Sequence, residues 1–125
     1  MSRFLVDTHA FLWWRSDSAR LTATARDAIA DPGNVILVSA ASAWEIAIRQ
    51  SLGKLQAPDA LIEEVVERGF AWLPVTPEHA WAVRRLPPHH RDPFDRLLVA
   101  QATLEDAVII SADQRVAAYG VPICW

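Results

Sequence analysis

The chain has 125 residues, with 12 lysines and arginines against 15 aspartates and glutamates and a net charge of −3. That length bounds one domain with a single real core, and an apolar content of 52% beside 22% charged residues excludes a disordered chain. The acidic balance offers no overall attraction to nucleic acid, so phosphate binding has to come from a local basic patch; the one cysteine, Cys124, excludes an internal disulfide and a cysteine zinc site and suits a reducing cytosol.

No apolar run approaches the length of a membrane span. The start, Met1-Ser2-Arg3-Phe4-Leu5-Val6-Asp7, meets an acid too early for a signal peptide, so the expectation is a cytoplasmic protein without a membrane partner. Phe4-Leu5-Val6 predicts a buried strand ending at Asp7-Thr8, and His9 to Trp14 a helical turn or two. Leu21 to Ala30 predicts a helix, with Thr22, Thr24, Arg26 and Asp27 on its wet side and Leu21, Ala25, Ala28 and Ile29 on its dry side. Asp31-Pro32-Gly33-Asn34 is a turn. Val35 to Val38 is wholly apolar, as in a strand covered on both faces.

Ser39 to Leu52 predicts a helix, with Ser39 and Ser42 both fit to cap it and Gly53 placed just past its end. A further helix runs from about Pro58 to Arg68 and stops at Gly69. Phe70 to Val75 reads as a third strand, and Pro77 to Leu86 as a helix ended by Pro87-Pro88. Pro93 to about Glu105 is the next helix, and Val108 to Ile110 the fourth strand, ending in Ser111-Ala112-Asp113. A short helix to Tyr119 leads to a last strand over Val121 to Cys124. Short apolar strands alternating with helices imply a parallel sheet between helical layers. Such sheets bind ligands at the carboxyl ends of their strands, where strand order reverses.

Four acids are placed to use that edge, and each also has an ordinary structural reading. Asp7 follows a strand and can begin an Asx-turn through Thr8. Asp113 can cap the helix that starts at Gln114. Glu45 can complete a capping box with Ser42 or pair with Arg49, yet it is aligned with Ala41, Ile48 and Leu52 on the edge of a dry stripe, where a carboxylate is costly without a partner. Asp92 precedes Pro93 and reads as the helix N-cap, which leaves Asp95 in the first turn. Jointly, Asp7, Glu45, Asp95 and Asp113 would repel one another and bind protons more tightly unless a cation joined them. Mg²⁺ or Mn²⁺, as hard cations that prefer oxygen, would do so.

Other chemistries lack their residues. Gly53-Lys54 is no P-loop, because Ile48 stands in place of the first glycine and Leu55 in place of Ser or Thr. No G-x-G-x-x-G and no G-x-S-x-G elbow is present. His89 and His90 read as a solvated loop before a helix, near Arg91 and Arg96 for phosphate contact. Trp13 and Trp14 read as packing residues, at least one of them at a protein interface.

Four stretches together resemble a PIN-domain ribonuclease, and more closely the VapC-type toxins of bacterial toxin–antitoxin pairs: Leu5-Val6-Asp7-Thr8-His9, Val38 to Ile46, His90 to Ala102, and Ile110-Ser111-Ala112-Asp113. The resemblance covers essentially the whole chain and implies one PIN-like domain over residues 1–125, a three-layer α/β/α sandwich with a five-stranded parallel sheet. It implies Asp7, Glu45, Asp95 and Asp113 as catalytic metal ligands for one or two Mg²⁺ or Mn²⁺ ions, with Thr8 and Ser111 in support. Asp92 matches a position frequent in the subgroup and keeps its capping role. The expected reaction is hydrolysis of RNA by a metal-activated water, leaving a 5′-phosphate and a 3′-hydroxyl. Arg49, Arg91 and Arg96 are the candidates for holding the RNA backbone. The resemblance further implies a cognate antitoxin and a homodimer, and the early helices, with Leu12, Trp13 and Trp14, are the expected antitoxin contact.

Two rivals remain in view. An aspartyl-phosphate phosphatase would use Asp7 as nucleophile but needs a second aspartate two residues on, where His9 stands. A degenerate PIN-like module would bind RNA or protein without turnover.

Overall fold

The computed structural model describes residues 2–125. Its elements, in chain order, are β1 (Arg3–Val6), α1 (Thr8–Arg15), α2 (Ala23–Ala30), β2 (Val35–Ser39), α3 (Ala40–Ser51), α4 (Leu61–Glu67), β3 (Ala71–Leu73), α5 (Pro77–Ala82) with a 3-10 turn over Val83–Arg85, α6 (Pro93–Glu105), β4 (Val108–Ile110), α7 (Gln114–Ala117) and β5 (Ile123–Cys124). The strands form one sheet in the order β3-β2-β1-β4-β5, every pair parallel.

Strand periodicity divides the core in two. Leu5 lies level with Leu37 and Ile109, and these three point to the side covered by Leu98, Val99 and Ala102 of α6 and Val116 of α7. Their neighbours Val6, Val38 and Ile110 point to the other side, onto Phe11 of α1, Ala25 and Ile29 of α2, and Leu61 and Val65 of α4. A strand buried on both faces has no polar positions to spare, which is why β1, β2 and β4 read as continuous apolar runs. The result is the three-layer α/β/α sandwich.

Prolines trim the edges. The third strand is shorter than Phe70 to Val75 because Pro74 cannot donate to a ladder, and the last strand shrinks to two residues behind Pro122. The helix expected from Pro58 begins at Leu61. The helix expected to run from Pro77 to Leu86 tightens at Val83 into the 3-10 turn. At α3 the cap is Ser39, whose hydroxyl accepts from the Ala41 amide at 3.0 Å. Ser42 is a buried tie instead: it accepts from the Thr8 hydroxyl at 2.9 Å, so Glu45 has no capping-box partner there. Gly53 follows α3 with φ of +71°, the left-handed conformation a helix-ending glycine takes without steric cost.

A buried polar chain joins the sheet to α5 and α6. The Ser39 hydroxyl donates to Gln101 Oε1 at 2.6 Å, and Gln101 Nε2 donates to the Pro74 carbonyl at 3.2 Å. His79 takes the Thr76 amide on Nδ1 at 3.1 Å and turns Nε2 to Glu105 at 3.0 Å. No helix among the described residues is long and apolar enough to cross a membrane.

Candidate active site

Strand order reverses between β1 and β4, and the two acids that follow them meet there. The Asp7 amide donates to the Ile110 carbonyl at 3.0 Å, extending the ladder past β1. The Asp7 carboxylate caps α1, accepting from the Ala10 amide at 2.8 Å. Burial raises its pKa above the usual carboxylate value, against the pull of the Ser111 hydroxyl and the Ala10 amide. Ser111 also accepts from the Asp113 amide at 3.0 Å, so one hydroxyl links the two strand-end acids. Thr8, buried beside Asp7, fixes the start of α1 against α3 through Ser42.

Asp113 caps α7 and stays ionised. Burial pushes its pKa up, but the Arg115 side chain, the Arg115 amide and His90 together pull it down to about 2. The arginine grips both oxygens, at 3.2 and 3.1 Å.

Asp95 is the opposite case. Asp92 Oδ1 accepts from the Phe94 amide at 2.8 Å and the Asp95 amide at 3.3 Å, which starts α6 and sets Asp95 in its first turn. Burial, then the negative charges of Asp92 and Asp7, with Glu45 adding to them, raise the Asp95 pKa to about 7 despite the opposing pull of His90. Glu45 is buried and paired with Arg49 at 2.8 Å. Arg49 in turn donates to His9 Nε2 at 3.2 Å.

The solvated-loop reading of His89 and His90 is half overturned. His89 is exposed and lies edge-on to Tyr119. His90 is buried, with Nε2 lying 3.0 Å from Asp95 Oδ2 and 2.9 Å from Asp113 Oδ2. Arg96 is likewise turned inward: it donates to the carbonyls of Val83, Leu86, Pro87 and His90 and to the Tyr119 hydroxyl, at 3.1 to 3.4 Å. Its cation therefore braces the loop before α6 and is not free for a phosphate. Arg91 is exposed. Two contributors were missed in the sequence, and both had a signal. His90 stands two residues before the cap of α6, within reach of the Asp92 amide, and Arg115 stands two residues after Asp113, within reach of its carboxylate.

Two clefts open on these residues. One, of about 320 Å³, is lined by Asp7, His9, Asp113 and Ala112. The other, of about 670 Å³, takes in Glu45, Arg49, Asp92, Phe94, Leu12 and Lys54. Trp13 and Arg20 line both, so the clefts adjoin. Trp14 packs against Phe70 instead. The cluster offers carboxylate oxygens with the Ser111 hydroxyl beside them, a set that fits a hard divalent cation, and one imidazole nitrogen, His90 Nε2, lies against Asp95 and Asp113.

Fold and site together define a doubly wound α/β domain with a carboxylate cluster at its switch point. Residues 4–122 match the family model of the PIN domain, and the chain belongs to that family. A curated relative, ribonuclease VapC16 of Mycobacterium tuberculosis, is 42% identical over 62 residues, which take in 48% of this chain and 44% of that protein. The chain thus matches less than half the length of that relative. Among solved structures, the VapBC2 complex of Rickettsia felis, bound to a DNA fragment from its promoter, superposes with a TM-score of 0.66 at 10% identity, covering 97% of this chain and 96% of that one. FitAcB of Neisseria gonorrhoeae gives a TM-score of 0.58 at 15% identity, covering 96% and 95%. At those identities the superpositions establish a shared fold.

Proposed function

We propose that this chain is a divalent-metal-dependent endoribonuclease and the toxin of a toxin–antitoxin pair. The observation that carries the reading is the gathering of Asp7, Asp95 and Asp113 at the strand-order switch, where Ser111 links the two strand-end acids and His90 touches Asp95 and Asp113. The raised Asp95 pKa, from burial and then the charges of Asp92, Asp7 and Glu45, accords with carboxylates crowded without a cation. The ribonuclease relative and the PIN family lend support.

In this reading Asp7, Glu45, Asp95 and Asp113 hold one or two Mg²⁺ or Mn²⁺ ions. The ions would supply an acidified water and charge neutralisation at the phosphate. The chain's own residues do the rest. Arg115 keeps Asp113 ionised. Ser111 fixes Asp7 relative to Asp113. Arg49 sits between Glu45 and His9 on the cleft wall, and with exposed Arg91 is the candidate for the RNA backbone. Leu12 and Trp13, which line the larger cleft beside Glu45, are the proposed antitoxin contact; Trp14, packed on Phe70, contributes support from beneath. The protein acts as a homodimer in the cytoplasm.

The test is cleavage of a structured RNA panel by purified protein. Metal-dependent cleavage that EDTA and Asp7→Asn both abolish is expected. Activity that survives both sinks the nuclease mechanism, and RNA binding without turnover under any divalent metal favours the degenerate module. Co-expression with the neighbouring open reading frame tests the antitoxin: failure to co-purify, with no relief of toxicity, counts against it. Light scattering reads the dimer.

A further inference from the structure

His90, Asp95 and Asp113 bring one nitrogen and two carboxylate oxygens within 4.8 Å of one another, which has the outline of a mixed nitrogen–oxygen metal site. The hydrogen bonds around the imidazole contradict that outline. The Asp92 backbone amide points at His90 Nδ1 from 3.0 Å. An amide N–H can only donate, so Nδ1 must offer a lone pair and the ring proton must sit on Nε2. Nε2 is the atom that faces Asp95 at 3.0 Å and Asp113 at 2.9 Å. A protonated nitrogen between two carboxylates is a shared donor and has no lone pair for a cation.

The ring has little freedom to reverse this. The His90 amide donates to the Tyr119 hydroxyl at 3.0 Å, and that hydroxyl accepts from Arg96 at 3.1 Å. Arg96 also reaches the His90 carbonyl at 3.4 Å and the Pro87 carbonyl at 3.1 Å. The residue is thus held at its amide, its carbonyl and its Nδ1, which leaves Nε2–H as its one group directed into the cluster. Turning Nε2 into a ligand requires the proton to move to Nδ1, where it would oppose the Asp92 N–H in a buried setting.

We infer that His90 is a positioning residue: its Nε2–H spans Asp95 and Asp113 and sets their spacing before a cation arrives, and it does not ligate the cation itself. The claim about the cation rests on the proposed metal-dependent function, whereas the proton's location rests on the hydrogen bonds alone. It follows that the ion meets oxygen ligands only, which favours Mg²⁺ and Mn²⁺ over Zn²⁺. It also follows that the backbone of Asp92 has a second role beside its side-chain cap, because its amide selects the His90 tautomer.

Long-range ¹H–¹⁵N correlation on the metal-free wild-type chain at neutral pH is expected to show His90 protonated at Nε2 and bare at Nδ1; a proton on Nδ1 with Nε2 bare overturns the inference without any variant. Pulsed EPR of the Mn²⁺-loaded chain is expected to show no directly bound ¹⁴N. A strong ¹⁴N coupling that disappears in His90→Gln also overturns it. Mn²⁺ titration supplies the functional arm. His90→Gln keeps an N–H donor and should hold affinity within a few-fold, while His90→Leu should weaken it by about 10–100-fold, as loss of a residue that orients ligands does. Equal losses in both variants, with circular dichroism showing both folded, would mark His90 as a ligand. Absence of any Mn²⁺ binding would overturn the proposed function and leave the tautomer result standing.

Discussion

The two ends of α6 each set a carboxylate against a buried histidine, and the outcomes are opposite. At the amino end, Asp95 meets His90 and its pKa rises to about 7. At the carboxyl end, Glu105 meets His79 and its pKa falls below the usual value, through the His79 hydrogen bond and the nearby Arg3. The helix dipole predicts the reverse, since it favours an anion at the amino end by ~0.3–1 kcal/mol. Both histidines accept a backbone amide on Nδ1 and present Nε2 to an acid, so the imidazole is not the difference. Burial and local charge are. Glu105 is more open to solvent than Asp95 and pairs with His79, with Arg3 at 3.5 Å. Asp95 is pushed up first by burial and then by the several acids that share its site with too few cations, and together these outweigh the dipole. One end is a closed structural lock, while the other keeps several acids crowded together with few cations.

The largest effect expected from this contrast is on activity. Asp95→Asn should reduce RNA cleavage to background, while raising the thermal midpoint of the metal-free chain at and above neutral pH by removing a repelled charge. Melting curves in EDTA, beside gel-based cleavage assays, measure both. A variant that loses activity and melts lower at that pH would mean Asp95 is structural.

At the other end, His79→Leu should cost stability and spare chemistry. It strips partners from the Thr76 amide, Gln101 and Glu105, and buried polar groups left unpaired cost about 1–3 kcal/mol. Urea denaturation reads the loss. Cleavage per folded molecule should match the wild type; a fall in that quantity would join the two ends functionally and dissolve the comparison.

How much of this was legible in the sequence follows the range of the interactions. β1, β2 and β4 were readable because a doubly buried strand has to be apolar throughout, and α6 because Asp92-Pro93 marks its first turn. Asp7, Glu45, Asp95 and Asp113 could be listed as acids at one edge. What the sequence hid was their charge balance. Asp95 and Asp113 stood together among the expected metal ligands, yet Arg115 makes one a strong acid, and burial with Asp92, Asp7 and Glu45 makes the other a weak one. Arg96 looked like a surface cation for phosphate, and only the folded loop brings four carbonyls to it. His90 was misread for the same reason, since its acids lie 5 and 23 residues along the chain.

The pH dependence of stability should separate the two ends by sign. Asp95 has a folded pKa of about 7 against an ordinary value of 3.8. Between those values the folded chain keeps a proton that the unfolded chain has released, so stability falls as pH rises through that window. Glu105 has the reverse sign. Its pKa lies below the ordinary 4.5, so its contribution is present above that value and lost as pH falls through the folded pKa. In EDTA, the thermal midpoint should decline by several degrees from pH 4 to 7, with Asp7, whose pKa burial also raises, contributing beside Asp95; Asp95→Asn should reduce the decline, and Mg²⁺ in excess of the chelator should flatten it. An unaltered decline in Asp95→Asn would assign it to another group.

The smallest effect separates the two acids of the α6 start. Asp92→Asn keeps a good N-cap, because asparagine accepts the same amides and caps about as well as aspartate. Its backbone amide still meets His90. The fold and the cleavage rate should therefore change little, whereas Asp92→Ala should cost ~1 kcal/mol through the lost cap. One property should still move in Asp92→Asn. The Asp92 charge is the strongest like-charge influence raising Asp95, so its removal should lower the Asp95 pKa, and the pH-dependent loss of stability should shrink without vanishing, because burial remains. NMR titration of the Asp95 carboxyl in the metal-free chain reads the shift directly. If the titration is unmoved, the Asp92 charge does not act on Asp95, and burial with Asp7 and Glu45 carries the contrast between the two ends of α6.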